Sequence, residues 1–236
     1  MSVEFDVVDD PARACSAILL SAVMAGGHVV LTGGSTPRGA YVELAKAVRE
    51  LGVDPTGTVF WFGDDRCVPP DDDRSNYKLA KEALIDPLAG IASLDVRRIQ
   101  GELGPDEGAD AYEGELEAAG SPKFELVLLG LGPDGHTASL FPDQATLEER
   151  SRLVVGVPEA GLEPFVPRVS MTLTALANTR QVVFLTEGEK KADAVLAAFG
   201  PDAEPNPHVP ASLVPPLVDD VKVLLDPAAA ARLPGH

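Results

Sequence analysis

The sequence predicts an α/β fold: a doubly wound, mainly parallel sheet flanked by helices on both faces, formed as a single domain over residues 1–236. Three observations carry this expectation. Strand-like apolar runs alternate with helical patterns along the chain, the arrangement of parallel strands joined by helical crossovers. The runs are continuously apolar, as a sheet covered on both faces requires. No break divides the 236 residues, because the six prolines from Pro201 to Pro216 mark an irregular connector with too little chain beyond it for a second domain.

The first helix is expected after Asp10, a candidate N-cap. Pro11 takes its first position, apolar spacing runs through Ile18, Leu19, Ala22 and Val23, and Gly26 and Gly27 stop it. A buried strand follows at His28 to Leu31. Thr36 is expected to cap a helix that begins at Pro37 and runs through Tyr41, Leu44, Ala45 and Val48. Strand Thr58 to Phe62 leads through a polar loop into a helix from Ser75 and Asn76 through Leu84. Strand Val96 to Ile99 precedes an acidic helix from Pro105 to Ala119. Strand Phe124 to Leu129 is followed by a Gly-rich turn and a short helix near His136 to Leu140. Strand Gln181 to Thr186, helix Glu189 to Phe199 and strand Val221 to Leu225 complete the series.

Charge is the unusual quantity. Nineteen Lys and Arg against 37 Asp and Glu leave a formal charge of -18, which repels nucleic acid and anionic lipid, so neither is an expected partner. If the substrate is an anion, the few basic residues near the site must reverse that field locally. Cys15 and Cys67 have no metal-ligand spacing and make no disulfide framework. The other histidines, His28, His208 and His236, form no metal-spaced cluster with His136, so no metal is expected. No apolar leader opens the chain and no apolar run is long enough to span a bilayer. The expected location is the cytoplasm, and the expected assembly a monomer or a weak homodimer.

Ligands of open parallel sheets bind at the carboxyl ends of the strands, and three loops there have unusual sequences. Gly33, Gly34, Ser35 and Thr36 combine glycines, hydroxyls and a helix start. They suit either a phosphate held by backbone N–H groups or a plain tight turn. Asp64, Asp65 and Arg66, with Ser75 and Asn76 beyond, read as a base with an electrophilic partner or as a surface ion pair. Gly130 to Gly135 has G-x-G-x-x-G spacing, but it sits mid-chain without an acidic residue ending the next strand, so no nucleotide cofactor is expected. His136, expected at a helix N-terminus that would keep its ring neutral, is a candidate base, with Asp134 two residues back to orient it.

Together the runs Leu31 to Pro37, Asp64 to Pro69 with Ser75 and Asn76, and Gly130 to Pro142 resemble the 6-phosphogluconolactonases of the glucosamine-6-phosphate isomerase/6-phosphogluconolactonase family. Arg168 to Leu173, Gly188 to Ala192 and Pro210 to Ser212 match as well, in the same order. The resemblance implies hydrolysis of 6-phospho-D-glucono-1,5-lactone to 6-phosphogluconate without a cofactor. Carried over by position, it implies that His136 activates water, Asp134 orients His136, and Arg66 binds or polarises the substrate. Gly33, Gly34, Ser35 and Thr36 would cradle the phosphate, with Arg168 and Lys191 as its cations and Arg38 a weaker candidate. The family usually has Asp-Glu-Arg where this chain has Asp64-Asp65-Arg66, which leaves a direct role for residue 65 open. Two rival functions stand beside it. One is an amino-sugar phosphate deaminase, which resembles this chain but places an acidic residue after its His, absent from Thr137 to Pro142. The other is a non-catalytic sugar-phosphate sensor.

Overall fold

The computed structural model describes residues 3–235. Strand β1 (Val3–Val7) comes first, its Val, Phe and Val alternating with Glu4 and Asp6 as a half-buried edge strand does. Lys222 of the neighbouring strand pairs with both acids at 2.9 Å. Helix α1 (Pro11–Ala25) starts as its sequence dictates: Asp10 accepts the Arg13 N–H at 2.9 Å, Pro11 fills the first turn, and Gly26 at φ 75° ends it. Strand β2 (Gly27–Leu31) leads into α2 (Ser35–Leu51), which is closed by Gly52 in the left-handed conformation. The two helices pack on each other through Cys15, Leu19, Ala40, Leu44 and their neighbours.

Strand β3 (Thr58–Phe62) is followed after Gly63 by β4 (Asp64–Arg66). Helix α3 (Asn76–Ala80) widens into a π turn over Lys81–Ile85 and ends in α4 (Asp86–Leu88). Pro87 explains the widening, because it has no N–H for the ladder and its ring crowds the carbonyl one turn back. The strand expected at Val96 to Ile99 shrinks to β5 (Asp95–Val96), the short outer edge of the sheet. Helix α5 (Pro105–Ala118) and strand β6 (Phe124–Leu129) lie where the sequence places them. Next come β7 (Val154–Val157), β8 (Arg168–Met171), α6 (Leu173–Ala177), β9 (Thr179–Thr186), α7 (Ala192–Phe199) and β10 (Val221–Leu225).

The seven-stranded sheet runs β1-β10-β9-β6-β2-β3-β5, and its strand pairs are parallel. Its central strands are the continuous apolar runs, with Val29 to Leu31, Leu126 to Leu129 and Val182 to Leu185 buried. The fold class expected from the sequence is the one observed. A second sheet was not expected. It is a three-stranded antiparallel unit, β4-β8-β7, set at the end of β3 where the ligand loops emerge. Its register puts Arg66 directly opposite Arg168. The helix expected near His136 to Leu140 is absent. Ala138 has φ 49°, a left-handed conformation that no α-helix continues through, and Leu140 N–H closes a tight turn on Thr137 at 2.9 Å.

Candidate active site

The loops after β2, β3, β6 and β9 enclose a cleft of ≈ 300 Å³. All three unusual loops of the sequence reach it, as do Arg168 and Lys191; Arg38 is exposed and outside its lining.

Gly33, Gly34, Ser35 and Thr36 form one wall. Gly34, at φ 115°, is the N-cap of α2, and no side chain caps the helix. Thr36 is therefore not the cap; it lies inside a first turn that begins at Ser35. A glycine cap leaves the leading N–H groups without a side-chain acceptor, facing a cleft at the positive end of a 17-residue helix. The buried Tyr41 anchors the root of this loop: its hydroxyl accepts from Thr32 N–H at 2.9 Å and donates to Thr32 O at 2.7 Å.

Arg66 and Arg168 face each other across the β4-β8 pair, an arrangement of like charges that is unfavourable unless an anion lies between them. Arg168 is only 4% exposed and donates to the carbonyls of Val166, Pro164 and Leu162. Burial, then the Arg66 charge, lowers its pKa. Arg66 donates to Arg74 O at 2.7 Å and leaves its buried Nε without a partner. Lys191, half-buried at the start of α7, donates to Leu131 O at 2.7 Å. Burial lowers its pKa, with Asp134 pulling the other way.

His136, paired with Asp134, lines the same cleft, and Lys191 stands near enough for the Asp134 charge to act on it. His136 Nδ1 lies 2.6 Å from Asp134 Oδ1, and the same oxygen accepts the His136 N–H at 3.2 Å. Burial pushes the Asp134 carboxyl up, but its bonds to His136 and the charge of that ring outweigh burial and hold it below its ordinary value. The helix N-terminus expected at His136 is absent, so no helix dipole acts on the imidazole. Its orientation comes from side chains: Asp134 on Nδ1 and Phe141, whose ring centre lies 4.7 Å away. Gly132 allows this geometry, since its N–H bonds His136 O at 2.8 Å and any Cβ there would overlap the dyad. Because no helix opens after Gly135, the G-x-G-x-x-G spacing builds no dinucleotide site. The proline-rich segment 201–216 is fastened behind this turn by Val209 and Ala211. Ala211 N–H bonds Gly135 O at 2.9 Å, and Val209 packs so closely that Gly135 has no room for a side chain.

Asp65 does not face the cleft chemistry. It is 2% exposed and accepts four hydrogen bonds, from Arg66 N, Asn76 N, Tyr77 N and Ser75 Oγ, so it completes the capping of α3 begun by its N-cap Ser75 and ties down the loop between β4 and that helix. Burial raises its pKa to about 6, against the pull of the three N–H groups. Asp64 does line the cleft, bound by Asn76 and by Ser139. The contributions of Ser139 and Tyr41 were not legible: both depend on contacts across the fold, and a lone Ser or Tyr carries no local signal.

Among the described residues no group of three or more His, Cys, Asp or Glu is placed to hold a metal ion; His236 lies outside them. Within the same residues no helix is long and apolar enough to cross a membrane.

Comparison with known proteins gives a consistent picture. The family described as glucosamine-6-phosphate isomerases/6-phosphogluconolactonase matches residues 6–223. The 6-phosphogluconolactonase of Mycobacterium leprae is 39% identical over 217 residues, covering 88% of this chain and 85% of the relative. The human 6-phosphogluconolactonase is 40% identical over 210 residues, covering 86% and 79%. Among solved structures, 6-phosphogluconolactonase from Trypanosoma cruzi superposes with a TM-score of 0.83 at 28% identity, over 99% of this chain and 97% of that one. A monomeric glucosamine-6-phosphate deaminase superposes with a TM-score of 0.78 over 98% of this chain and 100% of that one, but at 19% identity it is alike in fold alone. The chain belongs to the glucosamine-6-phosphate isomerase/6-phosphogluconolactonase family.

Proposed function

We infer that this chain is a 6-phosphogluconolactonase, hydrolysing 6-phospho-D-glucono-1,5-lactone to 6-phosphogluconate. The observation that carries the reading is the His136–Asp134 pair at 2.6 Å, in one cleft with Arg66, Arg168, Lys191 and the uncapped start of α2. The cations and the helix N–H groups suit a phosphate, and the dyad suits activation of water.

The mechanism follows from these placements. The phosphate seats on Gly33, Gly34, Ser35 and Thr36, with Arg168 and Lys191 as counter-charges. Asp134 fixes the proton on Nδ1 of His136 and leaves the Nε2 lone pair to take a proton from water as its oxygen bonds to the lactone carbonyl carbon. Arg66 stabilises the oxyanion of the tetrahedral intermediate. That intermediate collapses as the bond from carbon to ring oxygen breaks, and the imidazolium returns its proton to the leaving oxygen. The product is an open-chain acid, no electrons are transferred, and no cofactor enters. A cytoplasmic location and a monomeric or weakly dimeric state belong to the same reading.

The test generates the lactone in place and follows 6-phosphogluconate formation, with spontaneous opening subtracted. The His136→Ala protein should turn over roughly 10²–10⁴-fold more slowly, the usual contribution of a general base. Wild-type rates no faster than spontaneous opening would overturn the reading, and ammonia release from glucosamine-6-phosphate would replace it with the deaminase.

A further inference from the structure

The cations of the cleft leave one part of a sugar-phosphate lactone unread. Arg, Lys and backbone N–H groups are donors only; they match phosphate and carbonyl oxygens. A ring hydroxyl also has a proton to give, and inside a cleft that proton needs an acceptor. Glu163 and Glu187 line the cleft, but the first is exposed and the second half-buried, so water competes for both.

Asp64 is different. It is 5% exposed and lines the cleft, and the side chains that bind it are neutral donors, one on each oxygen. Asn76 Nδ2 lies 3.1 Å from Oδ1, and Ser139 Oγ lies 2.6 Å from Oδ2. A carboxylate has about four lone-pair sites, so acceptor capacity remains. The same two partners fix where the group stands. Ser139 belongs to the turn that follows His136, and Asn76 presses its Oδ1 against Gly33, leaving no room for a Cβ there. Asp64 is thereby tied both to the end of the cleft that holds the carbonyl carbon and to the end that holds the phosphate.

We propose that Asp64 is a substrate-binding residue that accepts a hydrogen bond from a ring hydroxyl of the lactone and so selects hydroxylated sugar phosphates over their deoxy counterparts. The proposal rests on the lactonase reading. It is tested by kcat/KM for wild-type and Asp64→Asn proteins on 6-phosphogluconolactone and on its 2-, 3- and 4-deoxy analogues. The substitution should lower kcat/KM on the parent about ten- to a hundred-fold, the scale of one charge-assisted bond. On one analogue, the one lacking the bound hydroxyl, variant and wild type should converge. An equal loss on all four lactones would assign Asp64 to scaffolding only and overturn the proposal, as would no loss at all. Should the variant fail to fold, the wild-type series still decides, because turnover of all three analogues at the parent's rate overturns it. Wild-type protein inert on the parent lactone would instead overturn the lactonase reading, and this proposal with it.

Discussion

Gly132→Ala isolates the geometry of the dyad from its chemistry, because His136 and Asp134 both remain. A Cβ at residue 132 would lie 2.0 Å from His136 Nδ1, 2.3 Å from Cε1 and 2.5 Å from Asp134 Oδ1. Ordinary contact begins at 3.4 Å, so the imidazole must retreat by about 1.4 Å, the difference between 3.4 and 2.0 Å. The backbone of Gly132 is not left-handed, so Ala adds no strain of its own there. The ring is 20% exposed and has solvent to swing into. Folding should therefore lose little beyond the dyad's hydrogen bond, about 1 kcal/mol, or a Tm fall of roughly 2–4 °C. Catalysis should lose much more. A 1 Å misplacement costs on the order of 10²-fold and loss of the base up to about 10⁴-fold, so kcat should fall roughly 10²–10³-fold, about 3–4 kcal/mol of barrier. KM should stay near wild type, since no phosphate contact is touched. Steady-state kinetics beside a thermal melt measures both. The double variant with His136→Ala should be no slower than His136→Ala alone, because both act through one unit. A Gly132→Ala enzyme within three-fold of wild-type kcat would refute the claim that the 2.6 Å pair is the working base.

Three further outcomes are expected. Lys191→Met should raise KM for the phosphorylated lactone roughly 10–100-fold, the scale of a charged hydrogen bond, and leave turnover of unphosphorylated gluconolactone unchanged; equal effects on both substrates would remove Lys191 from the phosphate. Asp65→Asn puts an amide NH₂ against a donor among Arg66 N, Asn76 N, Tyr77 N and Ser75 Oγ, and should destabilise by about 2–4 kcal/mol in a denaturant titration; an unchanged midpoint would deny its capping role. His28 Nδ1 accepts from Trp61 Nε1 at 2.9 Å, and burial is the chief cause lowering its pKa. The unfolded chain thus binds the proton more readily, so this stability is full above the unfolded value of about 6.5 and falls as pH drops toward the folded one. Trp61 is the one tryptophan of the chain, so its fluorescence reports the change; identical pH slopes in wild-type and His28→Gln proteins would exclude His28 as the cause.

What the sequence made legible was whatever is decided locally. Asp10 and Pro11 start α1 by satisfying or removing N–H groups within one turn, and the apolar runs of β6 and β10 match their strands at both ends. The members of the site were legible too, because parallel topology sends every strand end to the same side. The remainder is decided by partners distant in the chain. Asp64–Asp65–Arg66 has the composition of a turn, and it is a strand only because β8 pairs with it some hundred residues later. Gly-His-Thr-Ala-Ser-Leu reads as a helix start, yet its hydroxyls have better acceptors: Thr137 donates to Gly130 O and Ser139 to Asp64, and the left-handed Ala138 is the consequence. Thr36 lost its expected capping role for a related reason: the glycine before the helix makes the turn that a threonine cap would have made.

The net charge of -18 and the proposed anionic substrate look opposed, and the hydrogen-bond partners of the basic residues resolve the conflict. On the surface, Arg74 pairs with Asp72, Lys81 with Asp86, Arg97 with Asp95, Arg98 with Glu102, and Arg152 with Asp110 and Glu113. Those cations are neutralised in place. In the cleft the partners differ in kind. Among the described residues, the side chains of Arg66, Arg168 and Lys191 hydrogen-bond to backbone carbonyls alone: Arg74 O, the carbonyls of Leu162, Pro164 and Val166, and Leu131 O. A carbonyl orients a cation without cancelling its charge, so these three side chains are in no direct ion pair, and the carboxylates that share their surroundings, Asp64 near Arg168 and Asp134 near Lys191, act on them only from a distance. Acidic groups more than a Debye length away, about 8 Å at physiological salt, are largely screened from the cleft. Composition therefore sets how the molecule repels its surroundings, and the choice between carboxylate and carbonyl as partner sets where it attracts an anion.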